Sequence, residues 1–97
     1  MIVRAWRGRA AGADGDAYVR HLSESVFPGL GRIAGHRGAE LLRSGDEFLV
    51  LTRWDSMDAI RAFAGDTPER AVVEPEARAV LREFDETVTH YEVALSG

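Results

Sequence analysis

The chain contains no cysteine, lysine, asparagine or glutamine. Without cysteine there is no disulfide, no thiolate nucleophile and no sulfur-ligated metal. Without lysine there is neither Schiff-base chemistry nor a P-loop lysine. All 12 basic residues are therefore Arg, a bias that codon usage in a GC-rich genome explains without recourse to function. No apolar run approaches the roughly 18 residues of a membrane span. The opening "MIVRAWRGRA" alternates like a strand and lacks the apolar centre of a signal peptide. A cytoplasmic protein with no membrane partner is the expectation. Acidic and basic residues interleave to a net charge of −4, and no basic patch stands out. Nucleic acid is not expected as a partner.

What is present fits a single domain over residues 1–97 with a small core. Ile2 to Ala10 alternates as a strand, with Ile2, Arg4, Trp6 and Gly8 on one side. "AGADGD" reads as a loop, with Asp14 or Asp16 as a helix N-cap. Helical spacing follows from Ala17 to about Val26, where Tyr18, Leu22 and Val26 recur every four residues. Pro28 and Gly29 are expected to stop it. "HRGAELLR" and "EFLVLTRW" flank a tight "SGD" turn as a β-hairpin. Asp55 or Ser56 caps a second helix, whose stripe is Met57, Ile60, Phe63 and Ala64 and whose stop is Gly65. Ala71 to Arg82 reads as a short helical segment broken by Pro75, and Glu83 to Leu95 as the last strand.

The order β-α-β-β-α-β is the ferredoxin-like arrangement of the α+β class: a four-stranded antiparallel sheet with both helices on one face. The run Phe48 to Leu51 is apolar at every position, as in a strand buried on both sides. Helices on one face leave the other bare, and a bare apolar face of several hundred Å² is not left in water. A second copy packed sheet to sheet covers it, so a homodimer is expected.

"EFLVLTRWDSMDAIRAFAG", followed by "PERAVVEPEARAVL" and "HYEV", resembles the antibiotic biosynthesis monooxygenase domain family. "VFPGLGRIAGHRGAELLR" resembles that family's first helix end, Pro-Gly loop and second strand. The likeness runs over about residues 2 to 95. It implies a dimeric α/β barrel with a pocket in each subunit between the sheet and the two helices. It implies a cofactor-independent monooxygenase acting on a small aromatic, polyketide-like substrate, with no metal, flavin or other cofactor. The alternatives are a dimeric barrel that only binds a small molecule and, less favoured, a haem-degrading monooxygenase. Trp54 matches a Trp that lines the family's pocket. The Asn that both subgroups use has no counterpart here, and Asp58 to Ala79 contains no His to serve as an axial ligand.

Cofactor-free oxygenation, as the family performs it, begins with a deprotonated phenol or anthrone that gives an electron to dioxygen. The protein supplies a base, a dry pocket and a group to stabilise the anion. His21, beside the apolar stripe of the first helix, and His90, on the last strand, are the candidate catalytic bases, although each also suits a structural role. His36 opens the second strand and reads as structural. The three are not at metal-ligand spacing, so no metal site is expected. Trp54, Tyr18, Phe63 and Trp6 are the candidate substrate-binding residues. For Trp54 core filling competes with a place in the pocket wall. For Tyr18 the competing reading is simple packing with the hydroxyl at the surface. His21 and Ser25 lie four residues apart, but nothing like a nucleophile elbow accompanies them. Arg37 and Arg53 read as solvated or ion-paired.

Overall fold

The structure is a computed structural model and describes all 97 residues. Strand β1 (Ile2–Arg9) leads into helix α1 (Gly12–His21), a π turn (Leu22–Val26) and helix α2 (Phe27–Leu30). The hairpin β2 (His36–Ser44) and β3 (Glu47–Trp54) follows, then α3 (Met57–Ala64), α4 (Pro75–Val80), β4 (Glu83–Phe84) and β5 (Thr89–Glu92). The sheet runs β2-β3-β1, with β4 and β5 both beside β1, and every pairing is antiparallel. This is the expected ferredoxin-like α+β fold. No helix is long and apolar enough to cross a membrane.

The hairpin and α3 form as the sequence dictates. Gly45 takes φ +60° at the first central turn position, the left-handed value a two-residue II′ connection needs. The Ser56 hydroxyl accepts the Ala59 N–H at 3.2 Å and so closes the N-terminus of α3. Gly65, at φ +91°, ends the helix.

Four expectations need correction. The "AGADGD" segment is helix rather than loop: α1 begins at Gly12 after Ala11, and no side chain caps it. Asp14 lies in the first turn, where its charge complements the helix dipole, and Asp16 pairs with Arg43 at 2.9 Å. Pro28 does not stop the first helix. The Phe27 N–H reaches back five residues to the Leu22 carbonyl. That wider turn displaces the carbonyl that a proline ring would strike in a regular helix, and the chain stays helical to Leu30. Pro75 opens α4 rather than breaking a longer helix, because its missing N–H costs nothing in a first turn. The last strand is divided, and Asp85–Val88 separates β4 from β5 along the same edge of β1.

The core occupies the helix side of the sheet in two clusters. One gathers Tyr18, Leu22, Phe48, Ala77 and Leu81; the other gathers Leu30, Trp54 and Ile60. Val26 and Phe27, from the π turn and the start of α2, pack against both. On β3, Phe48, Thr52 and Trp54 are buried, while Leu49 and Leu51 on the opposite face are only half-buried. The chain by itself covers one face of this strand.

Candidate functional site

An apolar cavity of about 70 Å³ lies between the helix face of the sheet and the first helical run. Its floor is set by register: Arg4 pairs with Thr52 and Trp6 with Val50 across β1 and β3, and all four line the cavity. Tyr18, Leu22, Val26 and Leu30 form the roof. The π turn supplies two of these, and its extra residue re-aims the side chains that follow. Phe63 of α3 closes one side, and the extended strap Val72–Glu74 closes another. Val26, Leu30, Phe63 and Glu74 also border an outer cleft of about 470 Å³, where His21 and Ser25 appear.

The polar groups at this site are few and specific. Tyr18 is 1% exposed and packs edge-on against Phe48, with centroids 5.2 Å apart. Burial, with a smaller contribution from the Glu74 carboxylate, drives its phenol well above its ordinary pKa, so it stays a hydrogen-bond donor. The expectation of a surface hydroxyl is thereby corrected: the π turn and α4 cover it. His21 Nε2 lies 3.6 Å from Glu74 Oε2 and has no hydrogen-bond partner. Trp6 gives its indole N–H to the Asp85 carbonyl and leaves its ring to the cavity.

Arg4 is 5% exposed. Its guanidinium donates to the Pro68 and Arg70 carbonyls, and its Nη1 lies 3.0 Å from His90 Nε2. It sits 5.8 Å from the centre of the Phe63 ring. Burial, then the Arg4 charge, lowers the pKa of His90, so His90 accepts the Arg4 N–H as a neutral imidazole.

Trp6, Tyr18 and Phe63 therefore meet around the cavity, while His21 stands in the outer cleft. His90 lies behind Arg4, away from the cavity lining. Trp54 is fully buried one layer behind the wall. It stacks on Phe63 at 5.4 Å, meets His36 edge-on at 5.0 Å, and donates its indole N–H to Thr52 Oγ1 at 2.9 Å. Arg37 pairs with Asp55 at 2.7 Å and Arg53 with Glu40, which removes both from the site. Sequence reasoning missed Arg4, Thr52 and Glu74. For Arg4 the signal was present: a charged residue between Ile2 and Trp6 on the inward side of a strand.

No curated protein matches the sequence at a significant level. Among solved structures, a variant of MhuD with two manganese protoporphyrin IX molecules bound per active site is 21% identical with a TM-score of 0.75, covering 100% of this chain and 98% of its own. A Bacillus cereus protein assigned to the antibiotic biosynthesis monooxygenases is 18% identical with a TM-score of 0.69, over 100% and 94%. The ActVA-Orf6 monooxygenase of Streptomyces coelicolor, in complex with nanaomycin D, is 21% identical with a TM-score of 0.58, over 69% and 62%. At these identities the likeness is one of fold. The family model for antibiotic biosynthesis monooxygenases matches residues 1–75, a stretch that holds the hairpin, α3 and most of the cavity wall, and the chain belongs to that family.

Proposed function

We propose that this protein is a homodimeric, cofactor-independent monooxygenase that takes a small aromatic, polyketide-like substrate into the cavity above β1 and β3. The observation that carries the reading is an apolar chamber holding one buried phenol, Tyr18, and sharing Val26, Leu30, Phe63 and Glu74 with an outer cleft where an imidazole, His21, stands. His21 takes the acidic proton of the substrate. The resulting anion gives one electron to dioxygen. The two radicals join as a peroxide, and loss of water leaves a new carbonyl, so that an anthrone and one O2 give a quinone and one H2O. Tyr18 donates a hydrogen bond where negative charge gathers on the substrate oxygen. Walls of Trp6, Val50 and Phe63 keep water from the peroxide.

The residues present do not suit haem. No His lines the chamber, and Asp58 to Ala79, where the resemblance would place an axial ligand, contains none. Micromolar hemin is expected to give no shifted Soret band with the protein. The dimer is supported by the sheet face turned away from the helices. Leu49 and Leu51 are half-buried there, and Leu42 and Tyr91 are 44% and 57% exposed.

Dioxygen uptake with an anthrone tests the reaction. The expected result is uptake well above buffer that falls at least tenfold in Tyr18→Phe and His21→Ala. Calorimetric binding without uptake identifies a protein that only holds its ligand.

A further inference from the structure

The guanidinium of Arg4 is a buried charge with no carboxylate against it. It contacts two backbone carbonyls and one neutral imidazole, none of them a counter-charge. The chain has 16 acidic residues, and its other ion pairs show how readily they reach Arg side chains. Glu69 is the one whose charge acts on Arg4, yet it is exposed and forms no ion pair with it. Burial already opposes the charged form of Arg4. An unmatched cation under an apolar chamber is costly to keep unless something else in that chamber answers it.

The hydrogen-bond inventory says where the answer would bind. A guanidinium has five N–H donors. Two Nη1 contacts and the Nη2 contact to Arg70 use three of them. The Nε–H and one Nη2–H have no protein acceptor. Arg4 is itself part of the chamber lining, between Thr52 on β3 and Phe63 on α3. The Pro68 and Arg70 carbonyls and His90 hold the guanidinium in place, so little order is lost when a ligand uses the remaining donors.

From this geometry we infer that Arg4 is a substrate-anchoring residue and that the chamber selects aromatic acids, in which a carboxylate carried on the ring system seats on the Arg4 guanidinium. His90 is the positioning residue behind it. The inference rests on the chamber being the ligand site, as proposed above, and adds the charge of the ligand. The anionic end lies at the sheet, and the ring extends past Phe63 toward His21 in the outer cleft.

A matched pair of ligands provides the test: 2-naphthoate and the uncharged 2-naphthamide, titrated by calorimetry into the wild-type dimer and into Arg4→Gln. The expected result is a preference of roughly ten- to a hundred-fold for the acid in the wild type, the scale of charge-assisted hydrogen bonds. In Arg4→Gln that preference disappears and amide binding stays within about threefold. Equal affinity of acid and amide for the wild type overturns the inference while leaving the chamber as the ligand site. Binding of neither overturns both readings. Should Arg4→Gln not fold, the wild-type comparison still decides, and Phe63→Ala, which weakens both ligands without changing their ratio, confirms that they occupy this chamber. A changed acid-to-amide ratio in Phe63→Ala counts against an anchor at Arg4.

Discussion

Arg4 and His90 are register partners on β1 and β5, and their side chains meet at 3.0 Å between Nη1 and Nε2. A fixed cation and a titratable imidazole at that distance cannot both be charged without strain. His90 is therefore held neutral, its pKa lowered by burial first and the Arg4 charge second, with exposed Glu69 opposing weakly. His36, pressed edge-on against Trp54, is lowered by burial alone.

A pH dependence of stability follows. Both groups have folded pKa values below the 6.5 of an unperturbed histidine. Below that value the unfolded chain binds protons that the folded chain refuses, so stability falls as pH drops from 6.5 toward the folded values. Each histidine adds a slope of at most about 1.4 kcal/mol per pH unit within its window. Urea titrations at pH 7.5 and 5.5 should show the wild type losing stability and His90→Gln losing less. An identical loss in the variant would show that the Arg4–His90 contact does not govern His90 titration.

Trp54 carries a second expectation. Its ring is fully buried against Phe63, Leu30 and Ile60, so Trp54→Ala should cost about 3–5 kcal/mol. That is a large part of the 5–15 kcal/mol a small domain has. Trp54→Phe keeps the stack but leaves the Thr52 hydroxyl without its indole donor, at about 1 kcal/mol. Denaturant midpoints separate the two. A Trp54→Ala protein with the wild-type midpoint would contradict a core role.

Trp54 also marks how far the sequence could be read. Period-two patterning in β1, the apolar run of β3 and the Ser56 cap gave the order of elements and the hairpin. Those are local signals, and the structure keeps them. Trp54 was drawn toward the pocket wall because its place at the end of β3 was legible, while the layer in which its ring would lie was not. That layer depends on Phe63, nine residues on, stacking over it. The α1 start failed for a related reason. Asp14 and Asp16 look like caps, but the ion pair of Asp16 with Arg43 and the dipole around Asp14 serve equally well inside the helix. The π turn has no composition of its own, so Pro28 looked like a stop. Arg4 was visible as a charge on the same side of β1 as Ile2 and Trp6. Its lack of a carboxylate partner emerges only when residues 68–70 and β5 are brought beside β1.

Gly35 provides a third expectation. It takes φ +85° before β2, and a Cβ placed on it would stand 2.6 Å from the Cβ of Ala59. The Gly35 carbonyl also accepts the Asp55 N–H at 2.8 Å. This close approach seats α3 against the start of the hairpin. Gly35→Ala combines a strained left-handed backbone with a clash against a helix and should destabilise by about 1–3 kcal/mol. Ala59→Gly in the same chain relieves the clash but not the backbone strain, so the double variant should recover only part of the loss. Full recovery would assign the whole effect to the Cβ–Cβ contact.

The last expectation concerns the bare face of the sheet. Leu49 and Leu51 point away from the helices, beside Arg7 and Ala5 of β1, and are half-buried in the isolated chain. A glutamate at position 51 would remain hydrated in a single chain, but in a sheet-to-sheet dimer it would be buried opposite Glu40, whose carboxylate already takes the Arg53 charge on that face. Leu51→Glu should therefore leave the fold intact while separating the copies. Sedimentation equilibrium should give the wild type about twice the 10.7 kDa of one chain and the variant close to 10.7 kDa. The far-ultraviolet circular dichroism of the two should agree, because Phe48, Thr52 and Trp54 on the other face of β3 hold the core in place. A wild type that sediments as a single chain at high concentration would remove the dimer altogether. A variant that stays dimeric would move the interface to another surface.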